Sequence, residues 1–326
     1  MSLRFLSCFT ARRIALASAA LLCAELAATS SGAATYYVAG GGSGTTCTAT
    51  APCAGLSQAM SNARSGDSIV CLSPPHSNVP DSNALLVDKS ITIDCSTARA
   101  LIQDQFVASP DTSKVGIYIN IPPNSRLQTV RLRGLTIDGD SSHFGARYLD
   151  RGIEIVSAAA VYIEDCVISN ATRQGIYDHR TGGQTKLFIK DSIVSGNGGT
   201  GIAVAPQGPT TTVLDNVYSE NNLYGFGVSA GNSAVIIRSV FSGNTTAGVV
   251  ADGGAQLVVN NSTISHNGIG VQSAQTVRLS NNDIAFNTTA VLGSSGTFGN
   301  NRFSGNGTIG TAPVALGGAS SDLGQQ

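Results

Sequence analysis

From residue 161 the apolar positions alternate with polar ones in short bursts that recur down the chain: VYIEDCVISN, LFIKDSIVSGN, VLDNVYSEN, VIIRSVFSGN, LVVNNSTISHN, VRLSNNDIAFN and TFGNNRFSGN. Each burst is an alternating apolar strand, a polar corner of Asn, Asp or Ser, and a second short apolar strand ending near an Asn. Period-two alternation of this kind marks a strand with one buried face. A third strand opens four residues after the recurrent Asn, at Gly201-Ile202, Gly225-Phe226 and Gly248-Val249, with Gly175-Ile176 in the same register. The recurrent positions Asn197, Asn221, Asn244, Asn267, Asn287 and Asn306 are spaced 24, 23, 23, 20 and 19 residues apart. Each unit therefore holds three short strands and three turns.

A unit of this size cannot bury its own apolar face, so it must stack on its neighbours, each coil about 4.8 Å above the last. The expected fold is all-β: a right-handed parallel β-helix, a solenoid of about nine or ten coils. Left-handed β-helices run on strict hexapeptides, which the shrinking spacing excludes, and the Leu/Asn frame of a leucine-rich repeat is absent. Val213, Ile236, Val258, Val277 and Phe298 are expected near one interior stripe. The recurrent Asn is expected to take the left-handed backbone of a sharp corner and to bond the Asn one coil above, forming a ladder. Ala171 holds the ladder register one coil earlier, so the ladder should start at Asn197.

At the N-terminus, Arg4, Arg12 and Arg13 precede an apolar run from Ile14 to Cys23 and then small residues to Ala34. Residues 1–34 read as a secretory signal, by the general or the twin-arginine route. No later segment reaches the roughly 18 apolar residues of a membrane span. The expected location is periplasmic or extracellular. Residues 35–75 then form a leader, 76–310 the solenoid and 311–326 a tail. In the leader, Leu56, Ala59, Met60 and Ala63 fall at the spacing of one buried helical face. Tyr36-Tyr37-Val38, the Gly-rich loop, the helix, ITIDC and the repeats together resemble exported β-helix proteins of the pectin-lyase-like superfamily. That resemblance covers about residues 36 to 310 and implies that the short helix caps the open end of the first coil.

Composition narrows the partners. Charged residues are 12% of the chain, the net charge is −1 and no basic run occurs, which excludes nucleic acid and anionic membrane as natural ligands. High Gly with no Trp suits many tight turns. A monomer is expected. Of seven cysteines, Cys8 and Cys23 leave with the signal. Cys47 and Cys53 flank a short loop. Cys71 and Cys95 each end a strand one coil apart, inside the roughly 4.4–6.8 Å Cα window of a disulfide. Both pairs are expected to bridge, leaving Cys166 as an inert core thiol. No zinc spacing is present.

The candidate chemistry is central. Residues 131–191 hold eight acidic side chains (Asp138, Asp140, Asp150, Glu154, Glu164, Asp165, Asp178, Asp191) and eight basic ones (Arg131, Arg133, Arg147, Arg151, Arg173, Arg180, Lys186, Lys190). Paired carboxylates such as Asp138 and Asp140 serve as turn formers, as calcium ligands or as acid and base, and no other cofactor is implied. Asp165 and Asp191 share the corner of Asn261 and read as turn formers. Tyr177-Asp178-His179-Arg180 is the most enzyme-like run. It resembles the Asp-Pro-His-Glu signature of alginate epimerases, but lacks the Pro, has Asp and His adjacent, and carries Arg in place of Glu. Adjacent strand residues face opposite ways, so Tyr177 and His179 are expected to share the outer face. The Gly-His-Gly and Arg-Ile-Lys steps of polygalacturonases and the Arg-rich motif of pectate lyases are absent.

Two functional readings stay open. In the first, the chain binds or processes an acidic polysaccharide by lyase, epimerase or glycosidase chemistry. Tyr177, Asp178, His179 and Arg180 are then catalytic, and Asp138, Asp140, Arg147 and Arg151 bind substrate laid across successive coils. In the second, it is a non-catalytic secreted scaffold or surface-interaction module.

Overall fold

The computed structural model describes residues 32–72, 84–102, 114–141, 146–147 and 149–317. The inferred signal lies outside them apart from residues 32–34, as does the tail beyond 317. The described chain is a right-handed parallel β-helix with one helix, Leu56–Asn62.

Three parallel sheets run its length. In the first, the inward column passes from Tyr36 through Ile69, Ile93, Leu132, Ile163, Ile189, Leu214, Ile236, Val259, Leu279 and Thr297 to Ala315. The second carries Ile102, Ile137, Ile168, Val194, Ser219, Phe241, Ile264, Ile284 and Phe303. The third carries Leu85, Ile117, Ile153, Ile176, Ile202, Phe226, Val249, Val271, Val291 and Gly310. Nine and ten levels in the second and third sheets match the expected coil number. The first sheet has more, because Thr35–Val38 and Ser68–Cys71 of the leader, and Val314–Ala315 beyond residue 310, already stack in it.

The leader helix buries Leu56, Ala59 and Met60 against this first end, as its spacing requires. Lys89 Nζ donates to its last carbonyls, Met60 O at 3.1 Å and Ala63 O at 3.2 Å. A cation at a helix C-terminus satisfies acceptors that have no intrahelical donor.

Two register assignments differ from expectation. The single stripe of Val213, Ile236, Val258, Val277 and Phe298 does not form. Val213 and Val258 share an outward, half-buried column with Val235, whereas Ile236 lies on the inward column and Val277 on a second one with Ala234 and Leu257. Phe298 is half-buried. A slip of one residue exchanges the faces of a strand, and a shrinking repeat invites that slip.

The Asn ladder exists, but Asn222 rather than Asn221 is its second member. Nδ2 of Asn197 donates to Asn222 Oδ1 at 2.9 Å, and the chain continues through Asn244, Asn267 and Asn287 to Asn306. It starts where expected: the Ala171 N–H donates to Asn197 Oδ1 at 3.0 Å. The left-handed residue is the neighbour before it, at Gly196, Asn221 (φ 56), Gly243, His266, Phe286 and Gly305. Turning the corner and bonding the next coil are thus divided between adjacent residues. A second ladder, hidden in sequence because it mixes Ser with Asn, runs through Ser239, Ser262, Asn282 and Asn301.

These assignments set expected stabilities. Ile236→Ala should cost about 2–5 kcal/mol through a core cavity. Asn244→Ala should cost about 1–3 kcal/mol, because it removes the side-chain acceptor of the Asn222 N–H and the side-chain donor to the carbonyl of Ser219. Asn221→Gly, at a left-handed position, should be near neutral. Chemical denaturation midpoints check the order, and equal losses at Asn221 and Asn244 would refute the split.

Both disulfides form as expected, Cys47–Cys53 and Cys71–Cys95, each with Cα atoms 4.6 Å apart. The second follows directly from Val70 pairing with Asp94, one place earlier in adjacent coils. Cys166 is buried and free, and burial pushes its thiol up to about 12. Mass spectrometry should find two intrachain disulfides and one thiol that resists alkylation near neutral pH until the chain is unfolded. Losing Cys71–Cys95 should cost on the order of 3 kcal/mol on the chain-entropy view.

Candidate functional site

The outer face of the third sheet stacks Tyr118, Glu154 and Tyr177 in register on three successive coils. Alternation along the third of these strands then sorts the Tyr177 to Arg180 run into two pairs. Tyr177 and His179 point outward, and their rings stack with centroids 4.5 Å apart. Asp178 and Arg180 point inward, only 0% and 1% exposed, with Asp178 in the core column between Ile155 and Val204.

The inward pair is bidentate: Arg180 Nε donates to Asp178 Oδ1 at 2.8 Å and Nη2 to Oδ2 at 2.6 Å. Arg180 Nη1 donates to the carbonyls of Ala158 at 3.0 Å and Lys186 at 3.2 Å. A buried guanidinium satisfied this fully is a clip between coils. It does not present itself to a ligand, which removes the physical basis for placing Asp178 and Arg180 at a reacting centre.

The outward pair belongs to a different constellation. His179 Nε2 lies 2.8 Å from Glu154 Oε1. Arg151 Nη1 approaches the same carboxylate at 3.3 and 3.2 Å, while its Nε donates to Gln174 Oε1 at 3.1 Å. The Arg151 guanidinium lies 5.0 Å from the Tyr177 ring centroid, within cation–π range. Side-chain exposure grades outward, 8% for Glu154, 15% for Arg151 and 30% for His179. A carboxylate held down by arginine thus orients a solvent-facing imidazole beside a phenol.

The remaining candidates are placed as follows. Asp138 accepts from Ser169 Oγ at 3.3 Å and Asn170 Nδ2 at 2.8 Å, as a corner acceptor. Asp140 and Arg147 are backbone partners in a two-stranded antiparallel ladder, and their side chains lie outside the described residues. Asp165 and Asp191 are left-handed corner residues, φ 51 and 49. On the first sheet, Glu164 joins Arg131 and Arg133, and Arg133 reaches Asp94 at 3.0 Å. Burial opposes ionisation of Asp94, but hydrogen bonds from Ser96 and the Arg133 charge prevail and hold its carboxyl below the usual range. Among the described residues no three His, Cys, Asp or Glu side chains converge as a metal set.

Glu154 was not among the sequence-derived site residues, although it is the hub. A signal for it existed: Glu154 and His179 are 25 residues apart, one coil, and alternation about Ile153 and Ile155 turns Glu154 outward.

Residues 83–226 and 181–323 match the family described as the right handed beta helix region, and the chain belongs to that family. Its fold is that of the pectin-lyase-like superfamily. Among solved structures it is similar to the mannuronan C-5 epimerase AlgE4 A-module of Azotobacter vinelandii, at 15% identity and TM-score 0.50, over 78% of this chain and 91% of that one. It is also similar to a rhamnogalacturonan lyase, at 14% identity and TM-score 0.50, over 77% and 74%. At these identities the likeness is one of fold. No curated protein sequence matches the chain.

Proposed function

We propose that this is an exported protein that binds an acidic polysaccharide and moves a proton on it at the Glu154–His179–Tyr177–Arg151 cluster. The observation that carries the reading is the 2.8 Å contact between His179 and Glu154 on an outer sheet face, with Tyr177 stacked on the imidazole. With Nε2–H donated to Glu154, Nδ1 holds the lone pair and is the general base. The proton it takes is the one on C5 of a uronate, made acidic by the adjoining carboxylate.

Two outcomes follow from that carbanion. In elimination, the electron pair forms the C4–C5 double bond, the C4–O bond breaks and the leaving oxygen takes a proton from the Tyr177 phenol. In epimerisation, His179 keeps the proton it has taken and a water molecule on the opposite face of C5 supplies the new one, the resulting hydroxide being neutralised by the proton on His179 through solvent. Arg151 uses Nη1 and Nε in the bonds above, and its Nη2 is the donor directed to the uronate carboxylate. Asp138, Asp140 and Arg147 stay with this proposal as flanking contacts, and calcium as a bridge between carboxylates belongs with it too. Polysaccharide-active neighbours of the same fold favour this reading by analogy only. Export is favoured by two disulfides and by the sequence of residues 1–34.

The test is a panel of pectate, alginate and hyaluronan, read by calorimetric binding, by ultraviolet absorbance of unsaturated products and by NMR for epimers. Binding with either product signal supports the reading. No binding to any of the three refutes it and leaves the non-catalytic scaffold.

A further inference from the structure

The corner joining the third sheet to the first is uneven along the solenoid. Between Val115–Asn120 and Thr129–Arg133 it takes eight residues, 121–128. One coil on, between Arg151–Ser157 and Ala160–Glu164, it takes two, Ala158 and Ala159. One coil further, between Ile176–Asp178 and Thr185–Ser195, it takes six, 179–184. A two-residue corner between longer loops is a notch. It holds a cleft of about 370 Å³ floored by residues 156–159, with Pro123 and Gln128 on one wall and residues 181–184 on the other.

The notch is preformed. Gln128 Nε2 donates to Pro123 O at 2.6 Å and Ser125 O at 3.3 Å, which ties the first wall, and Ser157 Oγ donates to Ile121 O at 2.5 Å. The buried Arg180 anchors the second wall through Ala158 O and Lys186 O. One end opens at Val156, next along the strand from the Glu154 column and level with His179, whose N–H donates to Ile155 O at 3.0 Å. The other end leads onto the outer face of the first sheet at Tyr162. There Arg131 lies 4.4 Å from the Tyr162 centroid, and Phe188 stacks on the ring at 4.9 Å. Residues 121–128, 157–160 and 181–185 contain no carboxylate, whereas Arg126 on one wall and Lys186 just beyond the other are exposed cations.

We infer that this notch is a binding track, in which one linear anionic glycan crosses the solenoid transverse to its axis, from the Tyr162 platform over Ala158 and Ala159 to His179. The inference rests on the proposed function and replaces the expectation of a polymer lying across successive coils. An axial chain on this corner would have to climb both loops, while a transverse one lies between them. The eight steps along the chain from Glu154 to Tyr162 span at most roughly 26 Å of contour, room for several sugar rings. Gly182 keeps the mouth open: a Cβ added there meets nothing within 4 Å and its φ is ordinary.

The experiment uses the full mature chain and polyuronate binding by calorimetry. Gly182→Trp fills the mouth without backbone strain, and Ala159→Glu places a carboxylate on the exposed floor. Gly253→Trp fills the same corner three coils further along, at a glycine whose added Cβ has no neighbour nearer than 4.0 Å. Gly182→Trp and Ala159→Glu should each weaken binding about tenfold or more. The Ala159→Glu loss should shrink with added salt. Gly253→Trp should bind as the parent does. Parent-like binding by both notch variants overturns the track while leaving the proposed function intact, and a Gly253→Trp loss equal to that of Gly182→Trp makes the path axial. A parent that binds no polyuronate overturns both. Circular dichroism screens each variant for folding, and Ala159→Glu, at an exposed residue, carries the test if Gly182→Trp misfolds.

Discussion

Arg180→Met with Asp178 retained is expected to destabilise the protein by about 3–5 kcal/mol, and Asp178→Leu with Arg180 retained by a similar amount. The reason is asymmetry. With its partner gone, either group is a charge only 0–1% exposed, Asp178 lying between Ile155 and Val204 in the core column. Burying such a charge costs several kcal/mol, and the Arg180 bonds to Ala158 O and Lys186 O do not neutralise it. The double variant Asp178→Leu with Arg180→Met replaces the pair by apolar groups and should recover much of the loss. The prediction is read from denaturant midpoints of the four proteins in a double-mutant cycle. Additive losses would show that the two charges do not depend on each other, and would return Asp178 and Arg180 to the list of groups held for a ligand.

This clip explains why the central run misled the sequence reading in one half and not in the other. Alternation put Tyr177 and His179 on one face, and their 4.5 Å stack confirms it. The same alternation puts Asp178 and Arg180 inside, but charged side chains are almost never fully buried, so composition argues for the surface there. Only the side-chain geometry, a planar fork closing on a carboxylate two residues away, resolves the conflict. Glu154 was obscured by distance. Its partner Arg151 lies only 3 residues away, but its partner His179 lies 25 away and Gln174, which accepts from Arg151, lies 23 residues beyond that arginine; a contact between coils has no local signature.

The fold was legible because stacking imposes one pattern repeatedly. Each repeat confirms the same alternation and the same Asn, so an error in one unit does not damage the whole. Register within a unit had no such protection. The slip from Asn222 to Asn221 arose because both are Asn and sit side by side, one turning the chain at φ 56 and the other bonding the next coil. Corner lengths were equally invisible in function: Ala158 and Ala159 read as filler, and only the eight-residue and six-residue loops on either side make them the floor of a cleft.

His179→Ala, with Arg180 untouched, is expected to reduce turnover of a polyuronate by about 10²–10⁴-fold, the range for loss of a general base, while binding changes little. Stability should barely move. Glu154 keeps Arg151 when the imidazole is removed, at 3.2 Å, so no charge is orphaned. His179 is 30% exposed, so its pairing is worth no more than about 1 kcal/mol after solvent screening. Tyr177→Phe preserves the stacked ring and removes only the phenol, so it should depress elimination while sparing proton exchange at C5. Glu154→Gln keeps the shape but removes the charge that orients the imidazole, and its loss should fall between the other two. The measurements are steady-state turnover by ultraviolet absorbance and deuterium incorporation at C5 by NMR. If His179→Ala turns over substrate at the parental rate, the base lies elsewhere. The first-sheet group of Arg131, Tyr162 and Glu164, at the other end of the notch, is then the next place to look for it.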